Sequence, residues 1–458
     1  MTSRLLLGSV ALIAAVGCSG TDATPKASSS DVDIAQSQVA RVPATSVPSA
    51  DFEAAVTANN AFAFDLYAQA LTQRADKNLL MSPISAELAL TMTYAGAQGT
   101  TKSEMASALH FAADAGDSIF AGQNALSQAL NERASLAYGT ALQTFRQYHQ
   151  GAEPSADDYQ LQVVNSVWGE KTYAWEKPFL DTLSANYGTG VYQQDFVHDY
   201  EPARGTINGW VSTNTNHKIN ELIPSGALDE YTRMVLVNAI HLKLPWAKEF
   251  RGEATANADF TRGDGSIVST SFMNDEGHYG YTDGPLAQLV SLPLSNGQLS
   301  VVIGLPHADV SLANYEASLA TGGATFASPK SSEFVYVSLP KVAFTSPSVS
   351  LASALEAMGM KQAFVPDAAD FTGLCAHPPD GRNLYVADVL QKAMIGMDET
   401  GVEAAAATAV VVAGNLSADP MPVPMVVNRP YLIAIVDEPT GAILMLGHIQ
   451  DPSDAGQP

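Results

Sequence analysis

The order of elements legible in this chain predicts an α+β fold. Three observations carry the prediction. Apolar residues at helical spacing dominate the opening part of the chain, around Phe62, Phe64, Leu66 and Tyr67. Strand-like runs mixed with short helices fill the rest, and helices first with strands after is an α+β order. No internal repeat and no second domain boundary after residue 50 appears, so the 458 residues read as one large domain able to bury a sizeable core.

Residues 1–17 read as an export signal. Arg4 supplies the positive start, and 5–16 is apolar apart from Gly8 and Ser9, too short to cross a membrane. Ala14-Ala15-Val16-Gly17-Cys18 is similar to the cleavage box of bacterial lipoproteins, in which Cys18 would be lipidated; plain secretion with cleavage nearby is the simpler alternative. Residues 18–50, rich in Ser, Thr, Ala, Pro and Asp, read as a flexible tether, and 51–452 as the folded domain. The expected location is outside the cell, or on a bacterial surface through a lipid. Of two cysteines, Cys18 and Cys375, the second would be the lone thiol of the mature domain, so no internal disulfide is expected and Cys375 reads as structural.

Within the domain, 52–73 is the first helix, Asn78 to Ser85 leads into a second at 86–94, and 112–159 is polar with helical tendency. Residues 162–168 read as a buried strand, Ile207 opens a helix, and 234–243 is a long central strand followed by Trp246 and Phe250. Strands at 288–294 and 299–306 flank a turn at Asn296-Gly297. A strand at 335–341, a helix at 351–358, a strand at 384–398 and a C-terminal hairpin from 431–437 and 442–449 complete the order.

The net charge of −24 argues against nucleic acid or an anionic membrane surface as partner. No Gly-x-Ser-x-Gly elbow, His-Glu-x-x-His pair or phosphate-cradling glycine loop occurs. The nine histidines are scattered without metal-ligand spacing, and His241 reads as a packed histidine rather than a base. The chain is therefore read as no enzyme, with no cofactor and no metal.

One stretch, 398–430, organises the rest. Glu399 and Gly401 mark a break, alanines follow, then valines. At a period of two, Val402, Ala404, Ala406, Thr408, Val410 and Val412 fall on one face and Glu403 on the other, directed away from it. Pro420, Pro422 and Pro424 keep the next segment extended and out of a central strand. Locally this could be an alanine-rich linker. Glu399-Thr400-Gly401-Val402-Glu403-Ala404-Ala405-Ala406-Ala407-Thr408 with Asn428-Arg429-Pro430-Tyr431 nevertheless closely resembles the hinge and reactive loop of the serpins. Further likenesses to that family lie in Asn78 to Ser85, in 234–243 with Trp246, and in Leu339-Pro340-Lys341, so the resemblance spans most of the chain.

The resemblance implies the serpin fold, with large central mixed and antiparallel sheets, surrounding helices and an exposed reactive loop over 398–428. It implies a suicide substrate for serine, and possibly cysteine, endopeptidases. The protease forms an acyl-enzyme on the loop, and the cleaved loop then enters the main sheet as a new strand, trapping the enzyme. From Gly401 to Asn415, at roughly 3.3 Å per residue, that strand spans about 50 Å. A dozen ladder bonds at about 1 kcal/mol each give on the order of 10 kcal/mol, so the starting fold must be metastable.

Residue by residue, the resemblance makes Glu399, Gly401, Val402, Glu403, Ala404, Ala405, Ala406, Ala407 and Thr408 the hinge, and pairs Glu399 with Lys341. Val402 departs from the commoner Thr or Ser but is close in size. Ser82, Ser85, Asn238, Trp246, Lys341 and Gln391 fall where the sheet opens; helix capping is a local alternative for the two serines. Gln391 stands where the family has a histidine, so weaker pH control of insertion is expected. Counting from the hinge sets the reactive bond at Asn415-Leu416, with Leu416-Ser417 second; counting back from Asn428 gives Asp419-Pro420, a poor substrate bond. With no Lys or Arg between Gly401 and Asn428, elastase-, chymotrypsin-, subtilisin- or papain-like targets are expected. Arg133 and Arg146 alone in 112–159 argue against a heparin-like activator. A monomer is expected, with polymerisation by loop insertion into a neighbour as a hazard. A non-inhibitory serpin acting as a surface carrier is the alternative.

Overall fold

The computed structural model describes residues 32–148, 152–320, 326–403 and 421–456. Among them run the helices α1 (Ser49–Arg74), α2 (Pro83–Tyr94), α3 (Gly99–Ala108), α4 (Ser118–Tyr148), α5 (Lys177–Tyr187), α6 (Phe196–Asn214), α7 (Leu312–Ala320) and α8 (Ala352–Ala357). The first strands are β1 (Ile34–Ala35), β2 (Leu79–Met81), β3 (Gln160–Glu170), β4 (Val191–Gln194), β5 (Met234–Pro245) and β6 (Ala256–Thr261). Next come β7 (Ile267–Asp283), β8 (Ala287–Leu294), β9 (Leu299–Pro306), β10 (Ser332–Pro340), β11 (Val342–Thr345) and β12 (Val349–Ser350). The last are β13 (Val389–Lys392), β14 (Met394–Met397), β15 (Gly401–Val402), β16 (Val423–Val426), β17 (Tyr431–Asp437) and β18 (Ile443–Ile449).

Two large sheets result. The first runs β1-β4-β3-β5-β15-β14-β11, with β13 also on β5; the second runs β16-β10-β7-β8-β9-β17-β18-β2, with β6 on β7. Helix α2 lies against β3 and β5 of the first sheet and β18 of the second, and all of its residues are buried. Its composition explains this: Ile84, Leu88, Leu90 and Met92 leave no polar stripe to face water. Strand β5 sorts its side chains by parity. Val235, Val237 and Ala239 pack with Ile207 and Val211 of α6. Ile240, Leu242 and Leu244 belong to the core between the sheets.

Three sequence expectations change. Residues 32–48 of the supposed tether are docked on the body. β1 pairs antiparallel with β4, Val42 N donates to Ala185 O at 2.8 Å, and Asn124 and Gln128 of α4 both donate to Val42 O. The Arg41 guanidinium reaches Asn124 and Ser127. A composition too polar to form its own core does not prevent a segment from completing the hydrogen bonding of an existing surface. Second, the strand expected at 384–398 begins only at Val389 and is interrupted at Ala393, whose N–H and C=O exchange hydrogen bonds with Ser346 instead of continuing the ladder. Third, the helix read from Ile207 begins at Phe196 and bends at Asp199, ahead of Pro202. The proline-flanked segment forms β16, an outer strand parallel to β10 with Pro424 in its middle, and proline is tolerated on such an edge.

Candidate functional site

The site is built where β5 and the broken β13–β14 strand separate. At one end the two are joined: Val389 to Lys392 pair in parallel with Leu236 to Ala239. At the other end β15 is wedged between them, Gly401 and Val402 pairing with Pro245 and Leu244 on one side and Val402 with Met397 on the other. Among the described residues no ladder joins 240–243 to the β14 side between these two ends. At about 3.3 Å per residue this unpaired seam is roughly 13 Å long.

The closed end is held by side chains. Gln391 Nε2 donates to Asn238 Oδ1 at 2.9 Å and to Ser82 O at 2.7 Å, while its Oε1 accepts from Ser82 N at 3.0 Å. Asn238 Nδ2 donates to Leu390 O at 3.1 Å. Ser82 stands at the N-cap of α2, yet its hydroxyl donates to Leu444 O at 2.9 Å and makes no cap hydrogen bond, so capping is not its work. Ser85 Oγ lies 3.0 Å from the Asn165 side chain and 3.3 Å from Ala239 O. Ser82, Ser85, Asn238 and Gln391 are all buried, and this cluster ties α2 to both strands at the joined end.

The open end is the mouth. Trp246 N donates to Thr400 O and its Nε1 to Asp398 O, at 2.9 and 2.7 Å, so the indole clamps the turn between β14 and β15. Within that turn Asp398 Oδ1 accepts from Thr400 N and Oγ1. Glu399 pairs with Lys341 at 2.6 Å, the partner expected from the sequence, and accepts from Thr255 Oγ1 at 2.7 Å. Burial pushes the Glu399 carboxyl up, and the Lys341 and Thr255 hydrogen bonds outweigh it, leaving the group below its ordinary value. Gly401 is needed by close approach, because a Cβ there would meet Leu244 O at 2.3 Å. Val402 is 2% exposed and joins the core between the sheets.

Glu403 corrects an expectation. It lies on the face opposite Val402, but it is not directed out to solvent. Its side chain is 12% exposed and held by two side chains, His241 through Nε2 at Oε2 and Lys218 through Nζ at 2.9 Å from Oε1. Burial raises its pKa, and His241 and Lys218 together bring it below the usual value. His241 is therefore a hinge contact that sequence reasoning missed. The signal was the parity of β5, which puts residue 241 on the same face as 237 and 239, toward α6. Lys218, in the segment after α6, carried no signal.

Ala404 to Thr408, Asn415, Leu416 and Ser417, and likewise Cys18, lie outside the described residues. Cys375 is buried, and burial pushes its thiol up, which suits a packed side chain. Among the described residues no group of three or more His, Cys, Asp or Glu side chains is gathered to hold a metal ion.

Comparison with known proteins meets this geometry. The family model described as serpin (serine protease inhibitor) matches residues 57–452. The human leukocyte elastase inhibitor is 30% identical over 412 residues, covering 86% of this chain and 99% of its own. An uncharacterised serpin-like protein of Methanosarcina acetivorans is 30% identical over 410 residues, covering 86% of each. Among solved structures, a highly specific serpin of the insect Tenebrio molitor superposes with a TM-score of 0.69 at 26% identity, covering 87% of this chain and 98% of its own.

Proposed function

This chain belongs to the serpin family, and from that premise we propose that it inhibits endopeptidases as a suicide substrate. One observation carries the reading. The hinge has entered the first sheet as β15, and among the described residues no ladder joins 240–243 of β5 to β14 ahead of it. A cleaved loop needs that path to extend as a strand. The residues due to face inward after Val402 are Ala404, Ala406 and Thr408, small and uncharged, so burying them carries little cost.

The residues act in sequence. A protease attacks the bond at Asn415-Leu416, or at Leu416-Ser417, and is held as an acyl-enzyme. Cleavage frees the N-terminal half of the loop from its C-terminal anchor. The strand then lengthens from β15, gaining ladder hydrogen bonds on both edges, and carries the enzyme across the molecule before water frees it. The family's members are commonly protease inhibitors, and the human relative's name gives elastase as a target. The absence of Lys and Arg from Gly401 to Asn428 favours proteases that accept small or apolar residues. Residues 1–17, read as an export signal, together with Cys18 favour presentation at a cell surface through a lipid; a Cys18→Ala variant would then move from the membrane to the soluble fraction.

Mixing the mature domain with elastase, subtilisin and chymotrypsin tests the inhibitory reading. An SDS-stable complex is the expected product, and the mass of the released C-terminal peptide identifies the cleaved bond. Clean cleavage without complex, and without a gain in heat stability, would replace this reading with a non-inhibitory carrier.

A further inference from the structure

Glu87 stands in the middle of α2 among Ala86, Leu88, Ala89 and Leu90, and it is 0% exposed. A carboxylate in such a place needs a cation or several donors to replace its lost hydration. Two other wholly buried carboxylates have them. Asp437 is paired with Arg133, and Glu170 accepts from the backbone N–H groups of Thr172, Phe196 and Val197. Glu87 has neither. Its Oε1 accepts one bond, from Gln123 Nε2 of α4 at 2.8 Å, and its Oε2 has no partner among the described residues.

The bare atoms are complementary once a proton is counted. Gln123 is also 0% exposed, and its Oε1 is unpartnered as well. An ionised Glu87 leaves two acceptors, Oε2 and Gln123 Oε1, bare in the core beside their single N–H···O bond. One proton on Oε2 turns that atom into a donor, and a carboxylic acid and a primary amide can then exchange two hydrogen bonds. The surroundings favour the same form. Burial pushes the Glu87 carboxyl well up, and the Gln123 bond offsets only part of that. Helices α1 and α3 and strands β3, β5 and β18 pack against α2, and no charged group of theirs acts on the carboxyl. On the α5 side stands the Tyr187 phenol, pushed up by its own burial and then by Glu87, with Arg41 of the docked segment opposing. Its hydroxyl is buried and unpartnered too, so it gives Glu87 no hydrogen bond.

We propose that Glu87 is a proton-linked clamp between α2 and α4, held in the native fold as the neutral acid that donates from Oε2 to Gln123 Oε1. The clamp goes beyond the inhibitory reading and does not depend on it. Its pH dependence has a definite sign. The unfolded chain gives up this proton above about pH 4.3, the ordinary glutamate value, while the fold keeps it. A group raised in the fold contributes stability that is complete below that pH and is lost as pH rises through the folded value. The direction is opposite to that of Glu399, whose carboxyl sits below its ordinary value. Acid therefore tightens the α2–α4 contact, and ionisation puts an unpaired charge between the two helices.

The test compares the full chain with Glu87→Gln, the neutral isostere, whose amide can donate to Gln123 Oε1 at every pH. Infrared difference spectra, parent minus variant at pH 7, are expected to show the C=O stretch of a protonated carboxyl, which exposed carboxyls, ionised at that pH, do not give. Equilibrium unfolding of both proteins at pH 5, 6, 7 and 8 follows the linkage. The folding constant of the parent is expected to fall about tenfold per pH unit relative to the variant, until the group titrates in the fold. Gln123→Met removes the amide and is expected to keep the infrared band but move it to higher frequency, as a carboxyl without its hydrogen-bond partner. An absent band, a ratio of folding constants that does not change between pH 5 and 8, or a band that Gln123→Met leaves unshifted would overturn the clamp. So would a Glu87→Gln chain that fails to fold, because a site built for the neutral acid accepts its isostere. None of these readouts involves a protease, so failure of the inhibitory reading would leave them unchanged.

Discussion

A methyl group at position 401 would lie 2.3 Å from Leu244 O and 2.6 Å from Pro245 Cα, both backbone atoms that cannot rotate away. Gly401→Ala should therefore expel β15 and destabilise the native state by about 1–3 kcal/mol, read as a lower denaturation midpoint with faster exchange at 398–403. Two carboxylates govern the same hinge by charge. Glu403 faces His241 from β5 and Lys218 from the segment after α6, with the Lys243–Asp158 pair next along; Glu399 faces Lys341 and the Thr255 hydroxyl. Both carboxyls sit below their ordinary value in the fold. A lowered folded pKa contributes stability above the unfolded value, and that stability is lost as pH falls through the folded one. Hinge docking should thus be firm from about pH 5 upward and weaken below about pH 4.3, the ordinary glutamate value. Exchange at 398–403 measured at pH 3.5, 5.5 and 7.5 checks this; faster exchange at pH 7.5 than at 3.5, beyond the chemical rate, would contradict it. At the joined end Gln391 does not titrate, so a pH-dependent polymerisation between 5.5 and 7.5 that vanished in Asn238→Ala would contradict the role given to that cluster.

At the scale of elements, the first sheet contains a strand pair, β5 with β13–β14, joined at one end and wedged at the other. Gln391 is the bolt of the joined end, bonded at once to Asn238 on β5 and to both backbone polar groups of Ser82 before α2. Gln391→Ala leaves those buried groups unpaired, and each costs about 1–3 kcal/mol. The expected result is a lower unfolding midpoint and faster polymerisation on heating, because the seam can then open along its whole length. The even-numbered face after Val402 sets whether the new strand can close. Thr408→Arg places a charge on that face, and the variant should be cleaved as a substrate with its covalent complex greatly diminished; undiminished complex would refute the period-two register.

Over the whole molecule, residues 32–48 act as a strap across three elements. They cover the outer edge of β4, receive two side-chain donors from α4 and one backbone bond to Ala185 of α5. Removing residues 1–48 exposes that edge and strips partners from Asn124 and Gln128. A drop of several degrees in Tm with the fold retained is expected, and an unchanged Tm would make the strap energetically idle. Much of this architecture was legible in the sequence. Long apolar runs such as 234–243 and 299–306 announce strands because burial on both faces leaves no polar period, and the hinge is legible through the resemblance of Glu399 to Thr408 and Asn428 to Tyr431 to the serpin hinge and loop, since the local composition alone also allows an alanine-rich linker. By itself the sequence determined the α+β order, the family and the place of the hinge from Glu399 to Glu403. The tertiary structure alone decided that the strap is docked, that the strand before the hinge breaks at Ala393, and that Glu403 turns inward to His241 and Lys218. The last two depend on partners 47, 162 and 185 residues away (Ser346 from Ala393, His241 from Glu403, Lys218 from Glu403). Ion pairs and backbone satisfaction at such separations are set by which surfaces meet after folding, and no local pattern encodes them.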